Sequence, residues 1–170
     1  PTLTCTVDGE MPLPGRHPEV AWRGGVDLNP LDVTDPDAMA WLATLVWPER
    51  DDRRARLQGA IEVARADPPL IMDGDLLEEL PGLLESAAAH GNPVVFHSAV
   101  IAYLDPDGRG AFATMMRGLV ADGRCHWVSN EAPGVVPGID GPRLPSSFLL
   151  ALDGAPLARA HGHGHALTWL

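Results

Sequence analysis

Apolar positions change their period along the chain and so separate helices from strands. Met39, Leu42, Leu45 and Val46 recur at helical spacing behind TDPD, where Thr34 or Asp35 serves as N-cap and Pro36 takes the first helical position. This pattern predicts a helix that stops near Pro48. A second helix is predicted over Asp51–Ala66, charged on one side and lined by Leu57, Ala60, Ile61 and Ala64 on the other. Leu76, Leu77, Leu80, Leu83 and Leu84 mark a third, in which Pro81 threatens the first half and His90-Gly91-Asn92 forms the exit. A fourth runs from Gly108 to Ala121, with Phe112, Met115, Met116, Leu119 and Val120 on one face.

Short runs of strand type lie between these helices. The first extends from Glu19 to Val26 and ends at Asp27 in a polar, Pro-containing exit. Pro69 to Met72 lacks polar alternation, which suits a strand covered on both faces. PVVFHSAV from Pro93 and RCHWVS from Arg124 to Ser129 supply two more. Periodicity then gives way to a Gly- and Pro-rich loop over 130–146, longer than an ordinary connection and a candidate lid. SFLLAL, the Asp153-Gly154 pair and APLARA read as a β-hairpin, because Asp-Gly supplies the positive φ of a tight turn, and ALTWL extends the sheet. The alternation predicts a single α/β domain over residues 1–170. Its expected core is a mostly parallel, Rossmann-like sheet with helices on both faces and a C-terminal antiparallel hairpin.

Composition narrows the function classes. At 170 residues, with 45% hydrophobic and 21% charged residues, the chain has the makeup of a globular domain with one core. A formal charge of −11 disfavours a grip on phosphate backbones, so no nucleic-acid partner is expected. No apolar run approaches the ~20 residues of a membrane helix, and the N-terminus lacks a signal peptide's basic start and apolar centre. A cytoplasmic location without membrane contact is the expectation. Cys5 and Cys125 stand far apart without a partner motif, which points to free thiols. The chain opens on Pro1 in a polar, proline-containing stretch, as a portion of a longer protein would.

The order of elements is similar to the class I methyltransferase fold from its second strand onward, without that fold's first strand and Gly-rich turn. WRGGVDLNPLDVTDPD, WLATLVWPERDDRRARLQGAIEVARADPP, GDLLEELP, VVFHSAVIAYL, HWVSNEAPGV and FLLALDGAPLA also resemble, in the same order, blocks of the bacterial domain of unknown function 2332 family. The resemblance covers about Trp22 to Leu170 and makes this chain the C-terminal portion of such a protein. Family members carry an upstream half whose glycine-containing stretch resembles the S-adenosylmethionine loop of methyltransferases. The resemblance therefore implies S-adenosylmethionine as cofactor of the intact protein and none for this chain alone. Near the end the family tends to have Asp-Pro-His-Gly, whereas ARAHGHGHALTWL matches only at His161-Gly162.

Candidate chemistry gathers at the carboxyl ends of the expected strands, where open parallel sheets bind ligands. By the methyltransferase resemblance Asp27 takes the ribose position and Asp73 or Asp75 the adenine position, since carboxylates accept hydrogen bonds from both groups. Asp75 equally suits an N-cap of the helix behind it. His97 and Ser98 interrupt an apolar strand, so each needs a partner. His97 is either a proton acceptor on the substrate side or a core histidine bonded to a loop carbonyl. Glu131 is either a general base or a partner of Arg23, while Ser98 and Asn130 are candidate contacts to a small-molecule substrate.

His161, His163 and His165 alternate as a strand-borne metal cluster would, but intervening glycines and the lack of a carboxylate favour an exposed loop, so no native metal is assigned. Neither a G-x-S-x-G elbow nor a P-loop occurs. Three functions stay open: a methyltransferase-like protein acting on a small substrate, a non-catalytic module that associates through an exposed sheet edge, and a metal-dependent hydrolase at the histidine tract.

Overall fold

The computed structural model describes residues 2–141 and 147–170. In chain order the elements are β1 (Thr6–Asp8), β2 (Gly24–Asp27), α1 (Pro36–Thr44), α2 (Asp51–Ala66), β3 (Leu70–Asp73), α3 (Leu76–Ala88) and β4 (Val94–Ser98). A 3-10 turn at Ile101–Tyr103 leads to α4 (Pro106–Ala121), β5 (His126–Glu131), β6 (Ser147–Leu152), β7 (Ala155–His161) and β8 (Ala166–Trp169). Two compact units emerge, one spanning Trp22–Leu83 and the other combining Leu3–Ala21 with Leu84–Leu170.

In the first unit β2 and β3 pair in parallel, with Gly24 opposite Leu70 and Asp27 opposite Asp73. The helices between them form the connection that a parallel pair requires. Asp35, not Thr34, caps α1: its Oδ1 accepts the N–H of Asp37 at 2.8 Å and of Ala38 at 3.3 Å, and Pro36 fills the first turn. Thr34 is engaged instead by Asp32, through both its N–H and its hydroxyl. The strand expected from Glu19 begins only at Gly24. The Trp22 ring lies over that glycine, in the space any Cβ would occupy. Pro81 sits inside α3 without ending it, while Leu80, Leu83 and Leu84 on the same helix are buried.

The second unit is built on a six-stranded sheet in the order β1-β8-β7-β6-β5-β4. Here the expected mostly parallel, Rossmann-like sheet is corrected, because the sheet is mixed. β4 pairs with β5 and β1 with β8 in parallel, whereas β5–β6, β6–β7 and β7–β8 are antiparallel. The reason is connection length: the Asp153-Gly154 turn joins β6 to β7 directly, and so short a link permits only antiparallel pairing. The hairpin was legible in the sequence, but β1 was not. Its three residues are all exposed and carry no periodicity.

The core of this unit lies where α4 meets β5. Asp105 caps α4 by accepting the Gly108 N–H at 2.7 Å, which starts the helix at Pro106, two residues before the expected Gly108. Its buried stripe of Phe112, Ala113, Met116 and Leu119 belongs to the face that the helical spacing selects. Along β5 the alternation buries Trp127, Ser129 and Glu131. Phe112 meets Trp127 edge-on at 6.0 Å and His97 at 5.2 Å between ring centroids. The described part of the long loop packs inward, with Val136 and Ile139 both buried, and the Arg117 guanidinium donates to the Pro137 carbonyl. Residues 142–146 of the expected loop lie outside the described residues. Among the described residues no helix is long and apolar enough to cross a membrane. Both cysteines are free, Cys5 exposed and Cys125 buried.

Candidate functional site

The polar end of β4 and β5 is organised by one carboxylate. Glu131, 3% exposed at its side chain, accepts three hydrogen bonds at Oε1: from His97 Nδ1 at 2.8 Å, the Val100 N–H at 2.9 Å and the Ile101 N–H at 3.1 Å. On the far side of the imidazole, the Trp127 indole Nε1 donates to His97 Nε2 at 3.0 Å. An indole N–H only donates, so Nε2 accepts, and the ring proton sits on Nδ1, directed at Glu131. Both nitrogens of His97 are thereby engaged. The partners differ from those expected from sequence, since neither a loop carbonyl nor Arg23 is involved. Arg23 bonds the carboxylate and, at 3.3 Å, the backbone carbonyl of Asp67.

Burial pushes the Glu131 carboxyl upward, but the bonds from His97, Val100 and Ile101 outweigh it and hold the group below its ordinary 4.5. It is therefore an anion in the fold. Through its backbone bonds it also fixes the turn that leaves β4, where Ala99 adopts a left-handed φ of +56° that non-glycine residues rarely take. The Ala99 N–H is tied in turn to the Asn130 carbonyl at 3.1 Å.

Ser98 and Asn130, opposite each other in the β4–β5 register, are joined directly, the Asn130 amide Nδ2 donating to Ser98 Oγ at 2.9 Å. Three buried acceptors at this end of β5 have no protein partner: Ser129 Oγ, Asn130 Oδ1 and Glu131 Oε2. Unpaired groups of this kind are uncommon and mark places where water or a ligand completes the bonding.

In the first unit, Asp27 and Asp73 stand side by side at the carboxyl ends of β2 and β3. Asp27 Oδ1 accepts the Asn29 N–H at 2.8 Å, an Asx turn that sets the side chain, and the Asp27 carbonyl accepts the Gly74 N–H at 3.1 Å. Asp75 is the residue that caps α3, accepting the Leu77 N–H at 2.7 Å. The sequence-derived residues thus form two sets, Asp27, Asp73 and Asp75 at one end of β2–β3 and His97, Ser98, Asn130 and Glu131 at one end of β4–β5.

At the turn between β7 and β8 the rings of His161 and His165 stack with centroids 3.6 Å apart, and His163 lies 5.7 Å from His161. His161 Nδ1 is occupied by the His163 N–H at 3.1 Å. Slight desolvation and the charges of His165 and His163 hold the His161 ring below its ordinary value. Among the described residues no group of three or more His, Cys, Asp or Glu is arranged to hold a metal ion.

Sequence reasoning missed Trp127 as the partner of His97. The available signal was positional: buried alternation along RCHWVS places Trp127 on the face of β5 that a neighbouring strand's polar residue shares. It also missed the His126–Asp153 pair at the other end of β5, 3.0 Å between Nδ1 and Oδ2, because nothing in the sequence links a hairpin turn to a strand start 27 residues earlier.

No curated protein and no solved structure matches the chain. A family model, described as an uncharacterized protein conserved in bacteria (DUF2332), matches residues 1–169, and the chain belongs to that family.

Proposed function

We propose that the protein is methyltransferase-like and binds a nucleoside-type ligand of the S-adenosylmethionine class, with a small molecule as substrate. The observation that carries this reading is the pairing of Asp27 and Asp73 in register on adjacent parallel strands, with the Asp27 side chain fixed by the Asn29 N–H. Carboxylates only accept hydrogen bonds at neutral pH, so two of them side by side suit a ligand that presents several donors, as the paired hydroxyls of a ribose do. These residues fit the nucleoside end of such a ligand. A bound S-adenosylmethionine supplies an electrophilic methyl group; the chain's own part is to orient the ribose through Asp27 and hold Asp73 within reach. Asp75 fixes the start of α3 as its cap, its Oδ1 being taken by the Leu77 N–H. At the β4–β5 end, the Ser98 hydroxyl and the Asn130 amide are assigned to substrate contact, and His97 and Glu131 hold the turn that presents Ser98. In the full-length protein, adenosine is expected to bind more tightly than 2′-deoxyadenosine, and Asp27→Asn to erase that preference. Equal affinity for the two nucleosides in the unaltered protein counts against the assignment.

A second reading, a non-catalytic interaction module, is favoured by one specific observation. β4 is an edge strand of its sheet, and Val94 and Phe96 on it are 56% and 78% exposed. Edges with apolar side chains are templates for pairing with another chain. Sedimentation of the unaltered chain is expected to show association that Phe96→Glu abolishes; a strictly monomeric chain would exclude the module.

A further inference from the structure

His126 opens β5 at the end away from Glu131, and its Nδ1 lies 3.0 Å from Asp153 Oδ2. Asp153 is itself locked. Its N–H donates to the Trp127 carbonyl at 2.7 Å, its Oδ1 accepts the Trp127 N–H at 2.6 Å, and its backbone holds a left-handed φ of +52°. Burial pushes the Asp153 carboxyl upward, but the bonds from His126 and the Trp127 N–H prevail and keep it below the ordinary carboxylate range. A carboxylate at Nδ1 fixes the imidazole tautomer: the proton resides on Nδ1, and the lone pair of the neutral ring resides on Nε2. The contrast with His97 is direct. There the indole of Trp127 occupies Nε2, whereas among the described residues nothing bonds Nε2 of His126, and that side chain is 63% exposed.

His126 lines a cavity of about 240 Å³ together with Asn92, Arg124, Cys125 and Asp153. Among the described residues Arg124 is ion-paired only with the exposed Glu85, at 3.6 Å. Ion pairs so placed in water contribute little, so the guanidinium is available to an incoming anion. Burial and the nearby Asp153 charge push the Cys125 thiol up, which leaves it protonated and unreactive beside the imidazole. A base with one open nitrogen, an orienting carboxylate and a cation around a small cavity are the parts of a proton-transfer site.

We propose that this cavity is a general-base site for a small molecule bearing a carboxylate or phosphate group. Arg124 and Asn92 hold the oxyanion. The ligand is an ester that also carries this anionic group, and His126 Nε2 takes the proton from a water or hydroxyl whose oxygen forms a new C–O bond to the ester's acyl carbon. The O–H bond breaks as the N–H bond forms. The ester C–O bond then breaks, and the leaving alkoxide oxygen takes the proton from Nε2, so the products are an acid or new ester and an alcohol and the ring returns to its neutral form. His126 is the catalytic residue and Asp153 a positioning residue. The assignment is independent of the nucleoside reading, because none of its residues belongs to β2 or β3.

Two probes test it on the full-length protein. Inorganic phosphate, followed through the His126 ring resonances, is expected to shift them saturably, and Arg124→Gln to abolish the shift. Hydrolysis of p-nitrophenyl hydrogen succinate, an ester that carries a free carboxylate, is expected to fall at least about a hundredfold in His126→Gln, the loss a single general base supports. Because His126 is exposed, that variant leaves the fold intact. Asp153→Asn is expected to lower the rate and displace the midpoint of its pH profile, which a purely structural clasp would not move. Ring resonances indifferent to phosphate, or an ester hydrolysis rate unchanged in His126→Gln, overturn the proposal and leave the pair as a tie between the hairpin and β5.

Discussion

Replacing Glu131 with alanine is expected to cost about 3 kcal/mol or more of stability in the unit that contains it, because three donors lose a charged acceptor at about 1–3 kcal/mol each. The magnitude follows from what stays behind. His97 Nδ1–H and the N–H groups of Val100 and Ile101 all lose their acceptor at a buried or part-buried position. The turn after β4, with Ala99 at its left-handed φ, loses its anchor as well. Glu131→Gln keeps one carbonyl acceptor and is expected to cost less, about 1–3 kcal/mol.

The pH dependence separates the charge from the packing. Because the folded carboxyl titrates below its ordinary 4.5, its contribution is full above that value and lost as the pH falls through the folded pKa. The gap in thermal midpoint between the unaltered chain and Glu131→Gln should therefore narrow on acidification below about pH 4.5. Calorimetric scans at pH 7 and at successively lower pH measure it, and a gap that does not change with pH would show that the anion contributes nothing.

Trp127→Ala is expected to be of similar size, about 3–5 kcal/mol, because the indole is fully buried and its removal opens a cavity against Phe112 and His97. Against a typical total of about 5–15 kcal/mol, either substitution removes a large part of the stability of a small unit. Trp127→Phe isolates the hydrogen bond. It retains most of the ring but leaves His97 Nε2 without its donor, at a cost of about 1–3 kcal/mol. Denaturant unfolding followed by circular dichroism checks both. A phenylalanine variant as stable as the original would mean that the indole serves His97 by packing alone.

These two residues also show where sequence legibility stops. Helices were readable because their determinants are local: Asp35 and Pro36 mark the start of α1, and the apolar spacing of Phe112, Met116 and Leu119 marks the buried face of α4, whose start at Pro106 was read two residues late. α2 fell on the expected residues, and the Asp153-Gly154 turn announced β6 and β7. The mixed character of the sheet was harder to see, because β5 pairs antiparallel with β6 across the long loop, and no local pattern sets the direction of that pairing. His97 and Glu131 could be recognised as polar residues needing partners, yet their mutual bond spans 34 positions and no local pattern encodes it. The same limit hid the His126–Asp153 pair. Asp75, by contrast, had its capping role written in its position before a leucine-rich helix, and that local reading is where the structure places it.

The nucleoside reading is tested most directly by calorimetric titration of S-adenosylhomocysteine into the full-length protein, with Asp27→Ala titrated beside it. The expected result is saturable binding to the unaltered protein and its loss in the variant, since the ribose hydroxyls lose the acceptor that the Asn29 turn holds in place. Absence of binding heat in both proteins would contradict the ligand class, and equal binding in both would contradict the assignment of Asp27 while leaving the ligand class standing.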